Sequence, residues 1–196
     1  MNSYIEKAST ANLYQDIELF LCGQRIASYN HHFVNRNPHY ILTLITQGEA
    51  DFHFQTQSVT LKKGAIYVIF PNSNEHYHTK PDIPWSIKWV IINGPNVEKL
   101  LKQLGFSREK PFLELNSIIE IDGVFDELYS IFDNPSLQNR CYCMSHLYKI
   151  FALLAKKSSG LEYNPHIKAA LEYIASNFSK NISPATVANH IGLNNN

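Results

Sequence analysis

Short apolar runs separated by turn residues fill the chain between positions 17 and 92. "IELFLC", "YILTLIT", "ADFHFQ", "SVTL", "AIYVIF" and "SIKWVII" are rich in β-branched and aromatic residues, and turns such as "QGEA", "KKGA" and "PNSN" bound them. In "DFHFQ" the rings of Phe52 and Phe54 alternate with Asp51, His53 and Gln55, so one side faces a core. "YILTLIT" is apolar almost throughout, as a strand buried on both faces would be. In "SIKWVII" Lys88 is expected to face solvent, which turns Ile87, Trp89 and Ile91 inward. Short strands at this spacing predict a small antiparallel barrel or jelly roll.

After Gly94 the period changes from two to that of a helix. "NVEKLLKQLG" predicts a short helix ended by Gly105, while "SIIEIDGVFDELYSIFDN" and "SLQNRCYCMSHLYKIFALLAKK" predict two longer helices split by "DNPS". On the last of these, Leu137, Cys141, Met144, Tyr148, Phe151 and Ala155 form one stripe, and Cys143, Leu147, Ile150 and Leu154 form another. A helix docked on its own domain needs a single stripe. The second stripe either sandwiches the helix inside the domain or pairs it with another copy. The polar "KKSSGLEYNP" that follows lacks periodicity and reads as a linker. The expected organisation is a β-barrel over 1–94, a helical dimerisation element over 95–157, a linker over 158–165, and a helical segment over 166–196.

Composition narrows the class. Apolar residues make up 44% and charged residues 17%, and the formal net charge is zero, so the chain has ample core material and no overall basic surface for nucleic acid. The three cysteines, Cys22, Cys141 and Cys143, do not suggest a disulfide framework. Cys141 and Cys143 are poorly spaced to chelate a metal and read as buried thiols. With no signal peptide and no apolar run of membrane-spanning length, a soluble cytoplasmic protein is expected.

The tail carries a more specific signal. Asn164-Pro165 and Ser183-Pro184 are both helix-start pairs. The first opens "HIKAALEYIASNF", with Ile167, Ala170, Leu171, Ile174 and Phe178 on one face. The second opens "PATVANHI", where Ala188 is small enough for a close helix crossing and Gly192 suits a left-handed reversal. Leu193 would plug the small core, and Asn194 would cap a following helix. This order resembles the AraC/XylS family of bacterial transcription regulators at Ile182, Val187, Ala188, Gly192 and Leu193, and departs from it at Pro184 and Asn194.

The front of the chain resembles the same family. "RNPHYILTLITQGEADFHF", "VTLKKGAIYVIFPNSNEHYH" and "PWSIKWVIING" are similar to the cupin-type effector domain of its sugar-responsive members. The resemblance implies an α+β protein. An antiparallel cupin barrel would be followed by a helical dimerisation element and the first helices of a truncated helix-turn-helix domain. Ser183, Ala188, Gly192 and Asn194 would scaffold that domain, with the base-reading helix absent. Such a chain would bind a small-molecule effector and form a homodimer, reaching DNA only through the missing part.

A sugar site pairs an aromatic platform with convergent polar groups. On the residues alone, Trp89 is either that platform or core filling, and Arg36 is either a ligand contact or a surface residue. The resemblance assigns Trp89 and Arg36 to the ligand, places His78 at a contact position with His76 beside it on the same face, and aligns Arg25 loosely with a polar contact. At one usually polar family position this chain carries Ile87. His31 and His32 are adjacent and point to opposite sides, with a surface or loop role expected. The competing class is a metal-dependent cupin enzyme, an isomerase or dioxygenase. It would need a His-x-His, a Glu and a later His, but His39 is followed by Tyr40 and Ile41, and "ILTLIT" has no Glu. No phosphate loop, nucleophile elbow or paired catalytic carboxylates occur. The expectation is therefore a binding protein with no catalytic residue, metal or cofactor.

Overall fold

Two antiparallel sheets dominate the computed structural model, which describes residues 3–8, 16–134, 136–158, 166, 169–170, 173–174, 177 and 183–192, with the backbone alone for 3–8 and 156–158. The strands are β1 (Ser3–Ala8), β2 (Glu18–Ser28), β3 (His32–Val34), β4 (Tyr40–Gln47), β5 (Glu49–Phe54), β6 (Gln57–Lys62), β7 (Ala65–Ile69), β8 (His76–Thr79), β9 (Trp85–Asn93) and β10 (Phe112–Glu114). The six-stranded sheet runs β1-β2-β9-β4-β7-β10, and the four-stranded sheet runs β3-β8-β5-β6. All six runs read as strands from the sequence are strands. The terminal β1 and the three-residue β10 carry no alternation long enough to announce them.

Strand alternation divides the apolar residues between two cores. Ile41 and Ile45 of β4, Tyr67 and Ile69 of β7, and Trp85, Ile87, Trp89 and Ile91 of β9 meet Phe52, Phe54, Leu61 and Tyr77 of the four-stranded sheet. The other faces of the same central strands, with Leu42, Leu44, Ile66, Val68, Val90 and Ile92, meet α1 (Val97–Gln103), α2 (Ile119–Ile131) and α3 (Leu137–Ser158). Continuous burial of "YILTLIT" follows directly: sheet covers one face and helix the other. The fold is thus an α+β jelly roll with its helices on the back of the larger sheet.

Lys88 departs from expectation for the same reason. It lies on the helix-facing side of β9, not in solvent, and its ammonium reaches Asp122 at 2.5 Å and Asp126 at 2.7 Å on α2. An amine on a largely covered face is retained by pairing with carboxylates. The α3 stripes separate only in part. Cys143, Leu147, Ile150 and Leu154 are buried against the sheet together with Phe151 of the other stripe, Met144 is half-buried, and Leu137, Cys141, Tyr148 and Ala155 are exposed. Cys143 is therefore the core thiol expected, and Cys141 is not, because the two point to different sides of α3.

Two glycines mark required backbone geometry. Gly48, in the β4–β5 turn, has φ +76°, and a Cβ there would lie 2.3 Å from the Pro84 carbonyl oxygen. Gly94, where the period changes, has φ +127° and is similarly closed off by the Asp16 carbonyl at 2.4 Å.

The chain divides into two compact units after Ala155. The helices over 97–155 and strand β10 belong to the first unit, together with the sheets. The expected linker, 158–165, lies outside the described residues except for Ser158. In the second unit, residues 166, 169–170, 173–174 and 177 are helical, and α4 spans Pro184–His190. Ser183 caps α4: its Oγ accepts from the Thr186 N–H at 3.2 Å, and its own N–H donates to Thr186 Oγ1 at 2.7 Å. Gly192 takes φ +72° just after the helix. Ile167, Leu171, Phe178, Leu193 and Asn194 lie outside the described residues. Among the described residues no helix is long and apolar enough to cross a membrane.

Glu75 is an acid held at 3% exposure with no hydrogen-bond partner at Oε2, and burial pushes its carboxyl up from 4.5 to about 7. Between those values the folded state keeps a proton that the unfolded chain has released, so this group lowers stability as pH rises through that window. Glu75→Gln is expected to remove that component, and thermal unfolding of both proteins from pH 4.5 to 8 checks it. An unchanged pH profile in the variant would contradict the assignment.

Candidate functional site

A cavity lies between the two sheets of the first unit. It holds about 150 Å³ and is lined from β2, β4, β7 and β9 on one side and from the β3 region and β8 on the other. Cavities of this order accept a single six-membered ring.

Its existence follows from the neighbours of Trp89. Across β9, Trp89 pairs with Gly23 of β2 on one side and Thr43 of β4 on the other. A residue without a side chain and one with a small side chain flank the indole, so nothing bulky fills the space beside it. Trp89 remains 7% exposed, with Ile87 and Ile91 above and below it on the same face. Arg25 enters beside Ile87, its cross-strand partner. Two irregularities in β2 set this register, one between Leu19 and Leu21 and one between Arg25 and Ser28. In the second, Ala27 takes φ +49° and its N–H donates to Ser86 Oγ at 3.0 Å.

Polar groups converge on the same volume. His31 borders it, anchored by its backbone: its N–H donates to Thr79 Oγ1 at 2.8 Å, and its carbonyl accepts from the Thr79 N–H at 2.9 Å. Burial, then the charge of Arg25, then that of His32, lower the His31 imidazole from 6.5 to about 4. It is neutral at physiological pH and offers one donor and one acceptor nitrogen. Tyr67 is fully enclosed. Burial raises its phenol well above the usual range, and it is hydrogen-bonded to Thr43 and Tyr77. Among the described lining residues Arg25 supplies the charge, while Asn37, Thr43, Tyr67, Tyr77 and His31 supply neutral hydrogen-bonding groups.

The residues expected to bind ligand are therefore split. Trp89 and Arg25 line the cavity. His76 and His78 do share one face of β8, but it is the outward one, because Tyr77 between them pairs with the inward Phe52. Arg36 is exposed. Its neighbours are held inward: the Asn35 amide donates to the Phe70 carbonyl at 3.0 Å, and the Asn37 N–H donates to Asn35 Oδ1 at 2.9 Å. His31, expected in a loop or at the surface, lies in the loop before β3 and points in, whereas His32 points out. The inward Phe52 was legible in the sequence, and pairing "DFHFQ" with "HYH" would have exposed Tyr77; the small size of Gly23 beside Trp89 left no local signal.

Among the described residues no carboxylate lines the cavity, and no three His, Cys, Asp or Glu side chains are already grouped to hold a metal ion. In the second unit, Ser183, Pro184, Val187, Ala188 and Ile191 edge an apolar hollow with Ile174.

Residues 20–151 match the AraC-like ligand binding domain family. The chain is 24% identical over 193 residues to the lactose operon transcription activator of Staphylococcus xylosus, a match covering 91% of this chain and 67% of that protein. Among solved structures, the AraC-like transcriptional activator CuxR is similar with TM-score 0.50 and 12% identity, over 91% of this chain and 67% of its own. An apo ToxT variant from Vibrio cholerae is similar with TM-score 0.52 and 14% identity, over 96% and 73% respectively. At these identities the two structures bear on the fold alone.

Proposed function

The chain belongs to the AraC-like ligand-binding domain family, and on that premise we propose that it is the sensing part of a cytoplasmic, sugar-responsive transcription regulator. The observation that carries this reading is the indole of Trp89 bordering open space between Gly23 and Thr43, with Arg25 and neutral His31 reaching into the same cavity. A pyranose ring has an apolar C–H face for the indole and hydroxyls for the polar rim. The volume suits one such ring. A galactoside is the first choice, in keeping with the relative that activates a lactose operon. Arg36, His76 and His78 would then contact the effector only through rearrangement, and the ligand set becomes Trp89, Arg25, His31 and Tyr77.

In this reading residues 183–192 are the supporting helix and turn of a helix-turn-helix unit, and effector binding shifts how two such units are presented to DNA half-sites. The exposed residues Leu137 and Tyr148 of α3 supply the dimer contact. Leu137 is 63% exposed and Tyr148 51%, a large apolar exposure for a helix whose other side is fully docked.

Calorimetric titration with mono- and disaccharides tests the sensor. A galactoside is expected to bind, and Trp89→Ala and Arg25→Gln each to weaken it by roughly tenfold or more, equivalent to about 1.4 kcal/mol. Undiminished binding in both variants removes the cavity from consideration. Sedimentation velocity tests the dimer: Tyr148→Glu is expected to convert it to monomer, and a persisting dimer would place the contact elsewhere.

A further inference from the structure

The outward face of the four-stranded sheet carries chemistry that effector sensing does not use. Strand pairing lays it out as a grid. His32 of β3 lies opposite His78 of β8, which lies opposite Asp51 of β5, and in the next row His76 of β8 lies opposite His53 of β5. Phe33, Tyr77 and Phe52 pack toward the inner core, so alternation forces all four imidazoles onto one side. The His53 ring stacks on His76 with centroids 4.5 Å apart and on His78 at 5.5 Å, and His32 lies 6.3 Å from His76.

We propose that this face binds a divalent transition-metal ion through His53, His76 and His78, with His32 in reach from the edge strand β3. Imidazoles suit zinc, nickel and copper ions, and a His-x-His pair on one strand face with a cross-strand His is a short, rigid chelate. Two imidazoles on one ion, at metal–nitrogen distances near 2.1 Å, set their ring centroids roughly 5 Å apart. The spacings here, 4.5 to 6.3 Å, straddle that separation. The rings now lie face to face, so binding requires them to turn edge-on about their side-chain torsions. His78 is 49% exposed at its side chain, which leaves room for that rotation. Its Nε2 is 3.3 Å from Asp51 Oδ2, a carboxylate contact of the kind that orients metal-bound histidines, and Nδ1 is left for the ion. Asp51 also pairs with Lys80 at 2.5 Å, which balances that ammonium beside the site. The site lies outside the cavity, on the reverse of the strands that carry Phe52 and Tyr77.

Titration of the 196-residue chain with Ni²⁺ in a non-chelating buffer tests the assignment. One equivalent is expected to bind, and His53→Gln and His76→Gln each to weaken binding by about tenfold or more. His146→Gln and Cys141→Ser, which alter a half-buried imidazole and an exposed thiol on α3, are expected to bind as the unaltered chain does. Ni²⁺ should also raise the thermal unfolding temperature of the unaltered chain but not that of the His53→Gln/His76→Gln double variant. Unaltered affinity in the double variant, or loss of binding in Cys141→Ser, would overturn the proposal.

Discussion

The alternation of β9 is the constraint on which the rest of the molecule depends. Because β9 sits in the middle of a sheet covered on both faces, each of its residues must satisfy one of two environments. Trp85, Ile87, Trp89 and Ile91 face the inter-sheet space, and Val90 and Ile92 face the helices. A slip of one residue would carry Lys88 into the inter-sheet space and Trp89 into the helix layer, exchanging both sets at once. The ion pairs from Lys88 to Asp122 and Asp126 add a penalty to that slip, since the amine would lose both carboxylates on entering an apolar space. Sheet register, helix docking and the cavity floor are therefore specified together.

The cavity owes its character to what sits beside Trp89 as much as to Trp89 itself. Gly23 and Thr43 keep the flanks low, while the β2 bulge brings Arg25 into line with Ile87. Burial keeps the neighbouring imidazole and phenol uncharged, so neutral hydrogen-bonding groups surround one guanidinium. That mixture suits a neutral, hydroxylated ring better than a polyanion, whose several charges would be desolvated against a single cation. Among the described lining residues there is one imidazole and no carboxylate.

Much of the fold was legible in the sequence. Period-two runs bounded by turn residues located the main strands, and Ser183-Pro184 marked a helix start that its capping box with Thr186 bears out. The site was only half legible, because a strand pattern gives faces but not which face is inside. For His76 and His78 the shared face was right and its direction was not; the decisive fact, the pairing of Tyr77 with Phe52, is a long-range register. The same limit applied to Lys88, whose partners on α2 lie more than thirty positions away in the chain. Arg36 sits in an asparagine-rich turn whose inward and outward directions are set by hydrogen bonds to Phe70 and Ser73, and no local periodicity encodes them.

The chain contains two tryptophans, and only Trp89 lines the cavity, since Trp85 is sealed in the adjacent core at 1% exposure. Their two indole N–H resonances therefore provide an internal comparison. Titration of the ¹⁵N-labelled chain with any sugar that gives a heat of binding is the most direct test of the cavity as the effector site. A saturable shift of the Trp89 resonance, with Trp85 moving little, is the predicted result. Measurable heat of binding with the Trp89 resonance unmoved would contradict the account.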